Sequence, residues 1–212
     1  CQYVFSICCK AKIFSYFLAL GIALCGFSSV QAADNNPYEL ANEVATTTIN
    51  DIKANKDKLS NRAVAEGIIE KDLIPYIDIK YAAYKVIGTS LKSTSAEERQ
   101  RFTDEFAVYM KNSLVDVLSK YTNQDIVPAK VETVDPSASL VSVKLLIREA
   151  GKKDLELVLK LRKNNKTGQW KAFDLIGENI SMLDAKISEL SPIIKNNGVD
   201  AAIAKLKLGD KK

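Results

Sequence analysis

Few kinds of side chain in this sequence could carry out chemistry. The 212 residues include no histidine, and the last of the four cysteines is Cys25. This composition excludes Ser-His and Cys-His nucleophile pairs and removes most ligand sets for zinc, copper and iron, so we expect no metal and no cofactor. An enzyme would depend on carboxylates, tyrosines or lysines. Asp78, Asp174 and Tyr84 could serve an isomerase-type reaction in an apolar pocket, but no sequence spacing pairs them.

The cysteines fall in a segment that is typical of a secretory signal peptide. Two lysines precede the apolar run "IFSYFLALGIALCGF", and "SSVQA" then ends at Ala32 with small residues. The apolar run is shorter than the roughly 20 residues that a membrane span needs. We therefore expect residues 1–32 to be a cleaved signal peptide and residues 33–212 to form the exported domain.

Removal of this leader would change both the size and the charge of the protein. The 212 residues less the 32 of the leader are 180, enough for one domain, and none of them is a cysteine. Two lysines are lost, so the net charge falls from +4 to +2, which is too weakly basic to indicate a nucleic acid partner. The bulky Leu24 before Cys25 favours plain cleavage over lipoprotein processing.

Helical patterns fill the first half of the exported chain. Pro75 interrupts them, because proline lacks an N–H and clashes with the preceding turn. The helix after this break carries Ile77, Tyr81 and Tyr84 on one apolar face. The predicted helices begin at Asn36–Pro37, at Ser60, after Pro75 and at Ser95, where Glu98 completes a capping box and a long helix runs to about Tyr121.

In the second half of the chain, apolar and polar residues alternate strictly. "SLVSVKLLIREA" and "DLELVLKLRKN" place apolar residues on one side, and "QWKAFDLIG" predicts a third strand after a turn. "DIVPAKVETV" predicts a fourth strand, which Pro128 confines to an edge. Two helices, residues 180–196 and 199–208, close the chain. The pattern predicts a single α+β domain with an antiparallel sheet of about four strands wrapped by helices.

Several longer segments resemble a known family. "LIPYIDIKYAAYKVIG", "SAEERQRFTDEFAVYMKNSLVDVL", "LRKNNKTGQWKAFDLIGENISML" and "IIKNNGVDAAIAKLK" are similar, in this order, to the MlaC family of periplasmic phospholipid-binding proteins, also called the toluene-tolerance auxiliary family. The resemblance implies a curved sheet similar to the NTF2-like cone. It also implies a monomeric, non-enzymatic periplasmic carrier that shuttles phospholipid between an outer-membrane lipoprotein–porin complex and an inner-membrane ABC transporter and so maintains outer-membrane lipid asymmetry.

The apolar faces of the helices and of the sheet would then line a cavity for acyl tails, with tyrosines at its solvent-exposed entrance. The alternative is an ordinary close-packed core, to which stripes of this spacing usually belong. Basic residues at the rim, Lys80, Arg99 and Arg162, would donate to the phosphate. The predicted lipid-binding residues are Ile77, Tyr81, Tyr84, Phe102, Phe106, Met110, Val143, Leu145, Ile147, Leu157, Leu159, Leu161, Phe173 and Leu175.

Two other functions fit the same pattern. One is an isomerase-type enzyme on the NTF2-like fold, and the other is a periplasmic chaperone for acylated lipoproteins, which also needs an apolar concavity. The chemical nature of the bound ligand would separate the carrier from the chaperone. Pro75 and Gly88 are candidate hinge points for a cavity that opens and closes.

Overall fold

The structure, a computed structural model, describes residues 36–209, so the predicted signal peptide lies outside the described residues. Within this range the chain forms helices, then a sheet, then helices. The helices are α1 (Pro37–Ala54), α2 (Arg62–Asp72), α3 (Ile79–Ile87), α4 (Ala96–Leu118), α5 (Met182–Asn197) and α6 (Val199–Gly209). The strands are β1 (Asp125–Val127), β2 (Leu140–Arg148), β3 (Leu155–Lys163), β4 (Trp170–Gly177) and β5 (Ile180–Ser181).

Two predicted helix starts are confirmed in atomic detail. The Asn36 side chain accepts a hydrogen bond from the Tyr38 N–H, and Pro37 occupies the first turn of α1. At α4, the Glu98 N–H donates to Ser95 Oγ at 3.1 Å, and the Ser95 N–H donates to the Glu98 carboxylate at 2.8 Å. This reciprocal capping box satisfies two helix-terminal donors and fixes where the long helix begins.

The strands pair in the order β1-β2-β3-β4-β5, and every pair is antiparallel. This confirms the predicted α+β class and the edge position of β1. The strand is shorter than predicted: "DIVPAKVETV" is a strand only over Asp125–Val127, because Pro128 has no N–H to continue the pairing. No helix among residues 36–209 is both long enough and apolar enough to span a bilayer.

The sheet has one strand more than predicted, the two-residue β5. The sequence pattern assigned Ile180 to the following helix, but a tight turn intervenes in which Glu178 and Asn179 adopt φ angles of 50° and 65°. Turns with positive φ at both central residues suit a two-residue hairpin, so the chain pairs back on β4 before the helix starts. Ser181 then caps α5 by accepting from the Asp184 N–H at 2.9 Å.

A bulge in β4 changes the direction in which neighbouring side chains point, so that they contact different elements. The register between β3 and β4 shifts at Lys160/Leu161, so Phe173 has no partner on β3. The buried Asp174 carboxylate accepts from the Ser181 hydroxyl at 2.7 Å and from the Leu183 N–H at 3.0 Å. The bulge therefore ties the sheet to the first turn of α5.

Buried apolar residues form three clusters within the described part of the chain. The helical cluster comprises residues of α3, α4, α5 and α6. The α1–α2 cluster joins those two helices to the end of α4, with Ile126 of β1 packed against it. The sheet cluster comprises Ala41, Val143, Leu161 and Trp170, so α1 covers part of one sheet face.

One buried carboxylate lacks a full set of hydrogen-bond partners. The Asp72 side chain is 2% exposed, and its Oδ2 has no hydrogen-bond partner in the structure. Lys71 Nζ lies 3.5 Å from Asp72 but only 2.6 Å from Asp51. Burial raises the pKa of Asp72, and the Asp51 charge raises it further, while Lys71 offsets part of the effect.

We expect Asp72→Asn to stabilise the protein near neutral pH by about 1 kcal/mol, because it removes a buried, incompletely paired charge. A raised pKa means that the folded state favours the neutral acid. The cost is therefore absent below the ordinary aspartate pKa of 3.8 and appears as the pH rises through the folded value. Urea unfolding of variant and wild type across this range should show a gain that vanishes in acid. The exposed Asp57→Asn is the control, and an equal Asp72→Asn gain at all pH values would contradict the explanation.

Candidate functional site

A set of aliphatic side chains shares one face of the sheet at the end where β3 begins. Leu145 lies opposite Leu157, and Ile147 lies opposite Leu155, across the β2–β3 pair. Leu175 of β4 joins the same face, because alternate residues of a strand point to the same side. Leu145 is buried and the other four are half-buried. We call these five residues the aliphatic patch.

The aliphatic patch lies where the three core clusters meet but belongs to none of them. Ile147 is paired with Ile126, which packs against the α1–α2 cluster. Leu159, opposite Leu175, packs against the sheet cluster, and Phe173 packs against the helical cluster. The patch is therefore apolar surface that the described clusters border without burying completely.

A glycine gives one residue of the patch more room. Gly177 lies opposite Leu157, and a Cβ added to Gly177 would stand 3.4 Å from Leu157 Cδ2. That distance is ordinary van der Waals contact, so an alanine at Gly177 would fill this room and touch Leu157 without displacing it.

The predicted lipid-binding residues divide between the aliphatic patch and the core. Four lie in the patch: Leu145, Ile147, Leu157 and Leu175. Phe102 and Phe106 are buried in the helical cluster, against which Tyr84, Met110 and Phe173 pack. Val143 and Leu161 are buried in the sheet cluster, with Leu159 against them. Ile77 lies before α3, not on its apolar face as predicted, and forms a bridge to Ala172. Tyr81 meets Phe173 edge-on at 5.1 Å. For all fourteen, lipid contact stays a prediction.

One patch residue, Leu155, was not among the predicted lipid-binding residues. Its side chain lies on the same sheet face as Leu157 and directly opposite Ile147. The alternating pattern of "DLELVLKLRKN" contained this signal, because Leu155 and Leu157 have the same parity.

The predicted rim residues lie in different surroundings. Lys80 is exposed, with its Nζ 5.6 Å from the centre of the Tyr84 ring. Arg162 pairs with Asp78 at 2.5 Å and lies 4.3 Å from the centre of the Tyr81 ring. Because Arg162 alternates with the patch-facing residues of β3, its side chain leaves the opposite side of that strand.

Arg99, the third predicted rim residue, has unused hydrogen-bonding capacity. It is half-buried, and its Nη1 lies 3.5 Å from the Leu91 carbonyl oxygen, a long contact. Its Nε is buried and has no hydrogen-bond partner in the structure. Arg99 could therefore still donate to an anionic group that reached it.

Comparison with known proteins assigns the family. A profile of the MlaC protein family matches residues 42–208. The chain belongs to the MlaC family. Among its relatives, an intermembrane phospholipid transport system binding protein MlaC from Haemophilus influenzae is 32% identical, covering 91% of each chain. The toluene tolerance protein ttg2D of Pseudomonas putida is 21% identical, covering 84% of this chain and 82% of that protein.

A solved structure of another bacterial protein shares the fold. It is a phospholipid-binding protein from Ralstonia solanacearum in complex with a phospholipid. The TM-score is 0.71 at 18% sequence identity, and the match covers 84% of this chain and 97% of that chain. This likeness supports the curved, unclosed antiparallel sheet wrapped by helices.

Two concavities of this MlaC-family chain lie away from the aliphatic patch. A shallow groove of about 430 Å³ lies between the β4–β5 hairpin and α5, and its walls include Lys160, Ile176 and Ile180. A smaller one of about 210 Å³ lies between α4, α5 and α6, beside Tyr109 and Lys186. No predicted lipid-binding residue lines either of them.

The carboxylates considered for catalysis both have structural partners. Asp78 caps α3 by accepting from the Tyr81 N–H at 3.1 Å, and it also pairs with Arg162. Asp174 joins β4 to α5 through the two hydrogen bonds described above. Among residues 36–209, no group of three or more His, Cys, Asp or Glu side chains is placed to hold a metal ion.

Proposed function

We propose that this protein is a periplasmic phospholipid carrier that binds acyl tails on the aliphatic patch. The single observation that carries the proposal is the patch itself, five aliphatic side chains on one sheet face that belong to none of the three core clusters. Acyl tails need no hydrogen-bonding groups, and an aliphatic wall offers them the contacts that water cannot.

The relatives support this cargo and this role. The Haemophilus influenzae relative is named for intermembrane phospholipid transport, and the Ralstonia solanacearum structure holds a phospholipid. By extension, this chain collects lipid from an outer-membrane lipoprotein–porin complex and passes it to an inner-membrane ABC transporter, or the reverse. In this role it acts as a monomer, without a cofactor and without catalysis.

The energetics of acyl burial require direct handover. Burial of a lipid chain gains about 0.8 kcal/mol per CH₂. Two tails of roughly 15 methylenes would gain on the order of 20 kcal/mol, near the ceiling of non-covalent affinity. A lipid held this tightly does not leave into water at a useful rate. Release therefore requires a partner that offers another apolar path.

Binding of a phospholipid also requires the aliphatic patch to become more accessible, because the patch is half-buried in the structure. We place the flexing points at the two ends of α3. Pro75 lies in the 3₁₀ turn Ile74–Tyr76 before the helix, and Gly88 ends the helix at φ 59° and ψ −128°, a conformation that favours glycine. Displacement of α3 would move part of the helical cluster, including the residues that contact Phe173. Lys80 and Arg99 would then bind the phosphate of the headgroup.

The test is to express the exported chain in a Gram-negative periplasm and to determine its ligand. Native mass spectrometry should show the polypeptide mass plus bound phospholipid, and organic extraction should release glycerophospholipid. The same protein after delipidation and refolding serves as the matched control and should show the bare mass.

Other outcomes would reject the carrier. A bare polypeptide mass in freshly purified protein, with no extractable lipid, would contradict it. A trapped acylated polypeptide in place of glycerophospholipid would favour the lipoprotein chaperone. Turnover of a bound small molecule that Asp174→Asn abolishes would favour the isomerase-type enzyme.

A further inference from the structure

Cationic side chains gather around the ring of Tyr81. Lys85 Nζ lies 5.9 Å and Arg162 Cζ lies 4.3 Å from the centre of that ring. Lys171 is the direct cross-strand partner of Arg162 on β4, so their side chains leave the same side of the sheet. One helix and two strands therefore present positive charge to the same region.

An exposed tyrosine and another lysine extend this region. Ile77 and Ala172 form a parallel bridge. Tyr76 directly precedes Ile77 and Lys171 directly precedes Ala172, so Tyr76 lies alongside Lys171. Tyr76 is 39% exposed, so part of its ring is accessible to a partner. Lys80 follows in the first turn of α3 and is exposed. We call the set Tyr76, Lys80, Lys85, Arg162 and Lys171 the basic face.

The positive charge of the basic face is largely uncompensated. Asp78 neutralises Arg162 and is also committed to capping α3. No carboxylate of residues 36–209 lies within 4.0 Å of the Lys80, Lys85 or Lys171 ammonium groups, whereas lysines elsewhere on the chain, such as Lys111, form ion pairs. Three ammonium groups without a carboxylate partner among the described residues, beside an exposed tyrosine, make a surface of net positive charge.

We propose that the basic face docks the protein on an anionic lipid bilayer. Lysines are attracted to the negative surface potential of such a bilayer, and tyrosine suits the headgroup region because its ring is apolar and its hydroxyl is polar. An acidic protein surface would match the same charge and could also bury the Tyr76 ring. The choice of a bilayer rests on the proposed function, because a phospholipid carrier works at membrane surfaces. Arg162 leaves β3 on the side opposite the aliphatic patch, so docking and acyl-tail binding use different side chains, and Lys80 is the residue that the basic face shares with the proposed headgroup contacts.

The test is flotation of the purified full-length mature chain with vesicles. Vesicles of phosphatidylglycerol and phosphatidylcholine in equal parts should bind the protein at low ionic strength, and pure phosphatidylcholine vesicles should not. The Lys85→Glu/Lys171→Glu double variant should bind at least about 30-fold more weakly, because two favourable cations are lost and two repulsive charges are added. Added salt should weaken wild-type binding.

The control is the Lys130→Glu variant. Lys130 is an exposed lysine next to Ala129, whose carbonyl oxygen accepts a hydrogen bond from Asn42 of α1. This control variant should bind vesicles like wild type. Both variants should retain bound phospholipid, which separates a failure of docking from a failure of the carrier. No binding to anionic vesicles at low salt, or equal losses for the control and the double variant, would overturn the proposal. Unchanged binding of the double variant would overturn it as well.

Discussion

Leu157→Asp is expected to yield a folded protein that no longer carries phospholipid. Leu157 is half-buried at the centre of the aliphatic patch, opposite Leu145 and Gly177. A carboxylate there would lie against acyl tails without a partner, and such burial costs several kcal/mol. Since each 1.4 kcal/mol is tenfold in affinity, we expect binding to fall by at least about 100-fold. The measurement is lipid per protein after extraction, together with native mass spectrometry.

The matched control for this variant is Leu140→Asp on the neighbouring strand. Leu140 is 60% exposed and pairs with Arg162, so it faces the side of the sheet away from the patch. The Leu140→Asp substitution introduces the same charge into the same sheet and should leave the amount of bound lipid unchanged. If Leu157→Asp retained the wild-type lipid content while remaining folded, acyl tails would not bind at the patch, and another apolar surface of the chain would have to hold them.

The sequence predicted those elements whose signals are local. A capping box needs only Ser95 and Glu98 at the right spacing, and the structure shows both of its hydrogen bonds. The β2 and β3 strands follow from strict alternation, and their observed register keeps all the predicted apolar residues on one face. Pro128 correctly indicated an edge strand through its missing N–H, although the strand ends at Val127 and does not continue past the proline as predicted.

Features that depend on tertiary packing could not be predicted in the same way. The bulge at Phe173 arises from the register between two strands, and the β4–β5 turn places Glu178 and Asn179 at φ angles that sequence patterns do not indicate for glutamate. The unsatisfied carboxylate of Asp72 depends on the burial of α2 against α1. None of these has a periodic signature.

The candidate site shows the same limit. Apolar periodicity identifies residues that avoid water, but it does not say whether protein or ligand covers them. Phe102 and Leu157 carry the same kind of signal in the sequence, yet Phe102 is completely buried among four helices and Leu157 belongs to no cluster. Only the three-dimensional arrangement distinguishes a candidate lipid surface from the core that supports it.

Phe102→Ala is expected to destabilise the protein by about 4 kcal/mol, the range for a fully buried phenylalanine. The Phe102 side chain is 0% exposed and stacks on Phe106, with ring centres 5.9 Å apart. For a domain of this size, 1 kcal/mol corresponds to about 2–4 °C in Tm, so the Tm should fall by roughly 10 °C. Thermal unfolding followed by circular dichroism measures the change.

The same variant separates a core residue from a lipid-contacting one. A bound ligand stabilises the folded state according to its affinity, so loss of a lipid contact lowers Tm only in the loaded protein. Because Phe102 packs within the helical cluster, we expect equal Tm losses in loaded and delipidated protein. Val108→Ala, 45% exposed on the same helix, is the control and should change Tm little. A Phe102→Ala loss confined to the loaded protein would instead place this ring in contact with lipid and require the helical cluster to open during binding.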